Sequence, residues 1–261
     1  MSREPEFLFS HHLPGMIWNT VAVEQAQLLA LEVRDDTIFT TTFSLLNYQR
    51  GIFILENKSL PEPWWVSLAA ANEQTMLINR FMNKGGNPDQ KSLIAVDVRS
   101  GSIRWEVESF SFFDWNNTEV LGYRTKGDPV KATINLTSGV VTDGDWKNSP
   151  ELPFAERQRP AFYPEGSKHF DTIKEFLRKA DYLIVKGVEY LEFNDWIIIS
   201  GYVEELAKLA NYLLVFDREG TLKLTVKLGE NLAGLGTDTF FILSGCLFLV
   251  QNKTDLAAYR L

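Results

Sequence analysis

The stretch Leu93-Ile-Ala-Val-Asp-Val-Arg-Ser-Gly-Ser-Ile-Arg-Trp105 decides the architecture: an apolar strand, a polar turn ending in glycine, and a second strand. Gly101 stands where a short hairpin loop needs a positive φ, and β-branched residues flank it. The phrase recurs. Lys131–Leu136 is followed by Thr137-Ser-Gly139 and Val140-Val-Thr142, and Tyr212–Asp217 runs into Arg218-Glu-Gly220 and Thr221–Val226. A weaker copy is Thr40–Leu46, Asn47-Tyr-Gln-Arg-Gly51 and Ile52–Leu55. Two further strands precede the hairpins, as in Trp64–Leu68 with Thr75–Phe81, and in Val188–Phe193 with Trp196–Ser200. Gly51, Gly101, Gly139 and Gly220 are spaced by 50, 38 and 81 residues. A repeat of about 40–50 residues carrying four strands is the period of propeller blades.

The wide gap before Gly220 is filled by an insertion. In Ser167–Lys179, Phe170, Ile173, Phe176 and Leu177 share one helical face, Ser167 can cap the start, Asp171 lies in the first turn, and Arg178 and Lys179 lie in the last. This spacing predicts a helix over 167–179, docked outside the sheets over a blade face or a channel mouth, because its apolar stripe must be buried. Before it, Ser149–Gly166 holds four prolines and reads as an ordered loop. At the ends, Asp255–Leu261 looks like the third strand of a blade and Glu6–His11 like an orphan fourth; joining them removes two exposed sheet edges. The expectation is an all-β chain, a single β-propeller domain over 1–261. Five blades are counted, near 18–58, 63–108, 109–148, 183–229, and 234–261 with 6–11. Four or six blades stay open, and a β-sandwich with an inserted helix is the structural alternative.

Composition narrows the function classes. The 261 residues are 45% hydrophobic, 13% aromatic and 23% charged, which is globular and excludes disorder for most of the chain. Lys and Arg number 26 against 34 Asp and Glu, a net charge of −8, which gives no general attraction to phosphate backbones and argues against a nucleic-acid partner. Cys246 is the single cysteine, so no intrachain disulfide, CxxC pair or thiolate-rich zinc site can form. The longest apolar runs, Trp196–Ser200 and Thr239–Leu243, are far short of a bilayer span, so no membrane segment is expected. Met1-Ser-Arg-Glu-Pro-Glu6 carries no apolar export segment, and the expected location is cytoplasmic.

The segment Leu93–Trp105 resembles one repeat of the quinoprotein (PQQ-like) propeller superfamily, whose pattern is apolar-Ala-x-Asp-x-x-Gly-x-x-x-Trp. Four residues after the hairpin glycine, the other repeats carry Leu55, Asp143 and Leu224 in place of Trp. Ile17-Trp18, Trp64-Trp65, His169-Phe170 and Asp238-Thr-Phe-Phe241 give the whole chain a resemblance to an uncharacterised bacterial family, mostly from Bacteroidetes, that carries a domain-of-unknown-function label. The resemblance implies the propeller fold and almost nothing of function. The quinone-dependent dehydrogenases of that superfamily are larger, exported, and often place adjacent cysteines beside the cofactor. This chain has none of these features, so no cofactor is expected.

Candidate chemistry is sparse. His11, His12 and His169 are the only histidines; on a strand, His11 and His12 point to opposite faces and do not easily share a metal ion, and no metal site is expected. His169, beside Asp171, reads as a packing or surface residue before a general base. Glu189 and Glu192 are oddly spaced on one strand and face opposite sides, which disfavours a paired acid–base role. Asp114, Asp195 and Asp238 fall at inner strands or their turns, where carboxylates of a propeller channel can hold an ion or a sugar. Asp143-Gly-Asp145 is too short for a calcium loop, Lys84-Gly85-Gly86 lacks the P-loop ending, and Gly-x-Ser-x-Gly is absent.

Aromatic residues are the better lead. Trp64-Trp65 follows Pro61-Glu-Pro63, and the pair should place one ring between blades and the other at the surface. Asp114-Trp115 and Asp195-Trp196 set a Trp beside a carboxylate, which suits sugar stacking or a partner's hot spot, although most such rings fill wedges between blades. A ligand pocket is therefore expected on the helix-bearing face, framed by Trp64 or Trp65, Glu189, Tyr190 and Asp238. Within it, Asp238 either caps loop amides or faces the channel. Two functions follow as expectations: a non-enzymatic propeller that binds a protein or small molecule through one face, or a hydrolase or lyase of glycan-like substrates using Asp114, Glu189 and Asp238.

Overall fold

The hairpins of the sequence are held by side chains at their mouths. Asp97 accepts hydrogen bonds from the Arg99 and Ser100 amides at 3.1 and 2.8 Å, and Gly101, at φ +66°, lets the chain turn back. Asn135 accepts from the Thr137 and Ser138 amides before Gly139, and Asn47 accepts from the Arg50 amide before Gly51. The Asp97 carboxyl is held well below the usual range, first by the Ser100 amide and then by the Arg104 guanidinium. The computed structural model describes residues 4–82, 91–116, 118–145 and 157–261. Lys84-Gly85-Gly86, residues 146–148 of the third expected blade and residues 149–156 of the expected loop lie outside the described residues.

The described residues form five antiparallel sheets, four of which carry these hairpins, divided between two compact units, Pro14–Ala155 and Glu156–Leu261 with Met1–Leu13. After β1 (Glu6–His12), the first unit runs β2 (Met16–Val23), a single 3-10 turn at Glu24–Ala26, β3 (Leu28–Asp35), β4 (Thr40–Asn47) and β5 (Ile52–Lys58). β6 (Val66–Ala71), β7 (Thr75–Phe81), β8 (Lys91–Asp97) and β9 (Ile103–Val107) form its second sheet. β10 (Phe110–Trp115), β11 (Glu119–Arg124), β12 (Val130–Asn135) and β13 (Val141–Asp143) form the third. Each sheet is a meander in chain order.

Adjacent sheets of this unit are joined by two apolar layers. Leu28, Ala30, Phe43 and Leu45 of the first sheet pack on Val66, Leu68, Met76 and Ile78 of the second. Leu77, Leu93 and Ala95 pack on Phe110, Val120, Ala132 and Ile134 of the third. A recurring contact fixes their order. The residue four after one hairpin glycine lies against the hairpin glycine of the next sheet: Leu55 on Gly101, and Trp105 on Gly139. A Cβ at Gly139 would come within 2.6 Å of the Trp105 ring, and the Trp105 indole donates to the Leu136 carbonyl at 2.8 Å. The residue that carries the quinoprotein-like motif is thus an inter-sheet latch.

The second unit holds β14 (Ala161–Pro164), α1 (Lys168–Arg178), β15 (Ile184–Phe193), β16 (Trp196–Glu205), β17 (Lys208–Asp217) and β18 (Leu222–Leu232), followed by β19 (Phe240–Leu243), β20 (Cys246–Gln251) and β21 (Asp255–Arg260). β14–β18 make one five-stranded sheet; β19, β20 and β21 make another, whose outer strand is β1. The N-terminal strand is therefore paired as the sequence implies, with Glu6 opposite Arg260 and His12 opposite Asp255. Phe9 is its one buried ring, at 6.4 Å from Phe248, whereas Phe7 is half exposed.

The expected loop over 149–166 needs one correction: Ala161–Pro164 is an edge strand on β15. Its one proline, Pro164, is tolerated because an edge strand leaves one side of its backbone unpaired.

The helix forms where expected. Ser167 Oγ accepts from the Phe170 amide, and Phe170, Ile173 and Leu177 are buried against Ile184, Val188, Ile199 and Leu214. Phe176 stands edge-on to Phe216 at 4.9 Å and lies 3.4 Å from a Cβ position at Gly220. It meets the hairpin glycine as Leu55 and Trp105 do in the other unit, so α1 covers one face of this sheet. The opposite face, with Trp196, Ile198, Leu213 and Val215, packs on Phe240, Ile242, Leu247 and Leu249. In the described residues no helix is long and apolar enough to cross a membrane.

Candidate functional site

β3 alternates so that Glu32 and Arg34 share a face, and the hairpin after it ends in Asp35-Asp36-Thr37-Ile38-Phe39. Glu32 is fully buried. One of its oxygens receives Nε and Nη2 of Arg34, both at 2.7 Å, and the other receives the Leu68 amide at 2.8 Å. Arg34 Nη2 also donates to the Val66 carbonyl at 2.8 Å. A buried carboxylate is tolerable only with such pairing, and here the pair ties β3 to β6. The Arg34 guanidinium lies over two indoles, its Cζ 5.1 Å from the Trp18 ring centre and 5.2 Å from that of Trp64.

Around this clasp the aromatic surface is open to solvent. Phe39 meets Trp64 edge-on at 5.3 Å, and Trp18 and Phe39 are each 61% exposed. Ile38, next to Phe39, and Trp65, next to Trp64, are also exposed. Phe39 has φ +53° and is the one aromatic residue with a positive φ among the described residues. A bulky side chain there costs about 1–2 kcal/mol relative to ordinary backbone. Asp35 holds the turn by accepting from the Thr37 amide and hydroxyl, which keep its carboxyl below the usual range. The hairpin thus presents Ile38 and Phe39 outward, where polar turn residues are the norm.

Trp64 and Trp65 were expected to open a strand at Trp64; β6 begins two residues later, at Val66. Glu62 Oε1 accepts from the amides of both, at 3.2 and 3.1 Å, and holds the bend before β6. Trp64 packs on Arg34 and Phe39, while Trp65 faces solvent.

Glu189, Tyr190 and Asp238 lie in the other unit. Along β15, Val188 and Tyr190 face α1, and Glu189 faces the sheet of β19. Glu189 is buried and accepts from the Asp238 amide at 2.6 Å, the Thr239 amide at 3.3 Å and the Thr239 hydroxyl at 2.5 Å. Burial, the dominant cause, pushes its carboxyl above the usual range against those three donors. The network continues from Thr239 Oγ1 to Ser200 Oγ and on to Asn211 Oδ1, both at 2.9 Å. Asn211 Nδ2 is buried without a partner of ordinary geometry. Tyr202 both donates to the Gly236 carbonyl and accepts from the Gly236 amide, closing the clasp on the glycine-rich segment.

The Asp238 carboxylate does not cap the loop amides. It pairs with Arg159 Nη1 at 3.1 Å, and it is its backbone amide, at φ +57°, that enters the Glu189 network. Arg157 nearby lies over the Phe241 ring at 3.7 Å, and burial, helped by the charge of Arg159, pulls its pKa down to about 10. The Tyr190 hydroxyl donates to Glu192 at 2.6 Å on the opposite face of β15. Glu189 and Asp238 are therefore brought together; Trp64 and Trp65 belong to the aromatic surface of the other unit.

The remaining candidates have local roles. The Asp114 carboxylate accepts from the Trp115 amide, Asp195 is exposed beside Arg218, and Trp196 is core. His12 pairs with Asp255, His11 stacks on Phe9, and His169 packs on Tyr163. Among the described residues no three His, Cys, Asp or Glu side chains converge as metal ligands. Sequence reasoning missed Arg34, Phe39 and the role of Trp18. The one signal available was Ile38-Phe39 at a hairpin tip after Asp35-Asp36-Thr37.

A family model described as Domain of unknown function (DUF4905) matches residues 22–105, in line with the domain-of-unknown-function resemblance over that stretch. No curated protein matches the sequence. Among solved structures, the chain is similar to BamB from Moraxella catarrhalis, at 10% identity and TM-score 0.36 over 98% of this chain and 100% of that one. It is similar to the beta-propeller domain of the Trilobed protease from Pyrococcus furiosus, at 11% identity and TM-score 0.32 over 92% and 78%. It is also similar to a europium-containing methanol dehydrogenase, at 8% identity and TM-score 0.30 over 85% and 53%.

Proposed function

We propose that this protein is a non-catalytic binding module that engages a protein partner through the surface of Trp18, Arg34, Ile38, Phe39, Trp64 and Trp65. The observation that carries the proposal is the Arg34 guanidinium lying over both Trp18 and Trp64 and anchored by buried Glu32. That clasp fixes two large rings in place before any partner arrives, so little side-chain freedom is lost on binding. Trp and Arg are the residue types that dominate interface energetics, and an exposed aromatic cluster on a strained hairpin is costly unless something covers it. The rings stand on a hairpin tip and a strand entry, which suits a polypeptide better than a small enclosed ligand. We further propose that the five sheets are blades of one propeller, with β1 completing the last. The recurring meander and the repeated glycine contacts support this.

The hydrolase or lyase alternative has less behind it. Glu189 has both oxygens committed to Asp238 and Thr239, and the Asp238 carboxylate is committed to Arg159. Both act as fasteners of the segment that leads into β19.

Selection of a displayed library of random 12-residue peptides tests the binding proposal. Peptides selected on the wild-type protein should lose at least ~10-fold in affinity on the double variant Trp18→Ala/Phe39→Asn, the equivalent of about 1.4 kcal/mol. Asn tolerates the positive φ of position 39, so the variant should melt as the wild type does. Selected peptides that bind both proteins equally would place the binding surface elsewhere. Arg34 is unsuitable for this test, because its removal strands a buried carboxylate.

A further inference from the structure

We infer that the partner is a basic protein segment, one that lays a Lys or Arg side chain on the exposed rings of Phe39, Trp18 or Trp65; the inference rests on the binding surface proposed above. Three observations carry it. First, the charge of Arg34 is already compensated by buried Glu32. Second, carboxylates lie on the same chain segments as the rings. Asp35 and Asp36 sit on the same hairpin as Phe39, and Glu62 sits at the amides of Trp64 and Trp65. Asp35 is held ionised by Thr37, and Asp36 is exposed and enters no salt bridge among the described residues. Third, the protein contains the mode of recognition internally: a guanidinium stacked on Trp18 and Trp64 with its charge met by a carboxylate. Trp18 and Phe39 are each 61% exposed, which leaves ring surface for a second cation from outside. Carboxylates beside exposed aromatic rings give complementarity to a basic segment and repel an acidic one.

Fluorescence anisotropy with two labelled 12-residue peptides tests this, one rich in Lys and Arg interspersed with Leu, the other with Glu in place of every basic residue. The basic peptide should bind, and the acidic one should not. The double variant Trp18→Ala/Phe39→Asn should weaken the basic peptide at least ~10-fold, and Asp36→Asn about 3-fold, with Asp128→Asn as a control of equal charge change that has no effect. Equal losses in Asp36→Asn and Asp128→Asn, with no loss in the aromatic variant, would mean diffuse attraction to an acidic protein and would overturn the inference. No binding of the basic peptide would overturn it as well. In that case display-selected peptides that still depend on Trp18 and Phe39 would leave the binding surface standing with a different partner. Loss of that dependence too would remove both.

Discussion

Deletion of residues 1–12 should lower the thermal midpoint by at least ~10 °C or leave the protein insoluble. β1 is the outer strand of the last sheet, with Glu6 to His12 paired along Arg260 to Asp255. Its removal takes away the buried ring of Phe9, worth about 3 kcal/mol, and the backbone hydrogen bonds to β21, worth about 1 kcal/mol each at most. A loss near 5 kcal/mol is comparable to the whole stability of many domains, and for a chain of this size about 1 kcal/mol moves the midpoint by roughly 2–4 °C. The deletion also bares β21 as an unprotected edge, which favours aggregation. The contribution is concentrated in pairing and in Phe9, because Phe7 is half exposed and the Glu6–Arg260 and His12–Asp255 pairs lie at the surface. Single substitutions Glu6→Ala or His12→Ala should therefore change little. A truncated protein that melts as the wild type does would mean that β1 is dispensable.

Glu189→Leu should cost about 4 kcal/mol. It leaves the amides of Asp238 and Thr239 and the Thr239 hydroxyl without an acceptor in a buried place, where each unsatisfied group costs about 1–3 kcal/mol. Glu189→Gln keeps one acceptor oxygen and should cost less. The pH dependence separates the two contributions. Folding raises the Glu189 pKa above its unfolded value near 4.5, so the folded state holds the proton more tightly. Its titration therefore contributes stability that is complete below the unfolded value and is lost as pH rises through the folded value. Denaturant titrations from about pH 4 to pH 8 should thus show the Gln variant losing less stability with rising pH than the wild type. Identical pH profiles would mean that the carboxyl is not desolvated by folding.

How much of this was legible in the sequence depended on the reach of each contact. The hairpins were legible because Asp97 and Gly101, or Asn135 and Gly139, act on one another within a single turn. The helix was legible because its cap, its apolar stripe and its terminal charges all lie within 167–179. The pairing of β1 with β21 was reached through a topological rule, the removal of open edges, rather than from any local pattern. β14 was not legible, since prolines are signals for loops and only the neighbouring β15 makes the segment a strand. In the candidate sites the partners are far apart in sequence. Glu189 meets amides 49 and 50 residues on, and the aromatic surface is assembled from Trp18, Arg34, Phe39 and Trp64 on four separate segments. Trp64 and Trp65 could be marked as candidates from their adjacency, but nothing local announces that an arginine thirty residues earlier will hold one of them.

Amide hydrogen exchange with and without a saturating display-selected peptide tests the central claim, that this aromatic surface is the docking face, most directly. Exchange should slow at residues 34–41 and 62–67 and stay unchanged at residues 233–239 and in α1. Slowing at 233–239 or in α1, with the Phe39 hairpin unaffected, would contradict the account.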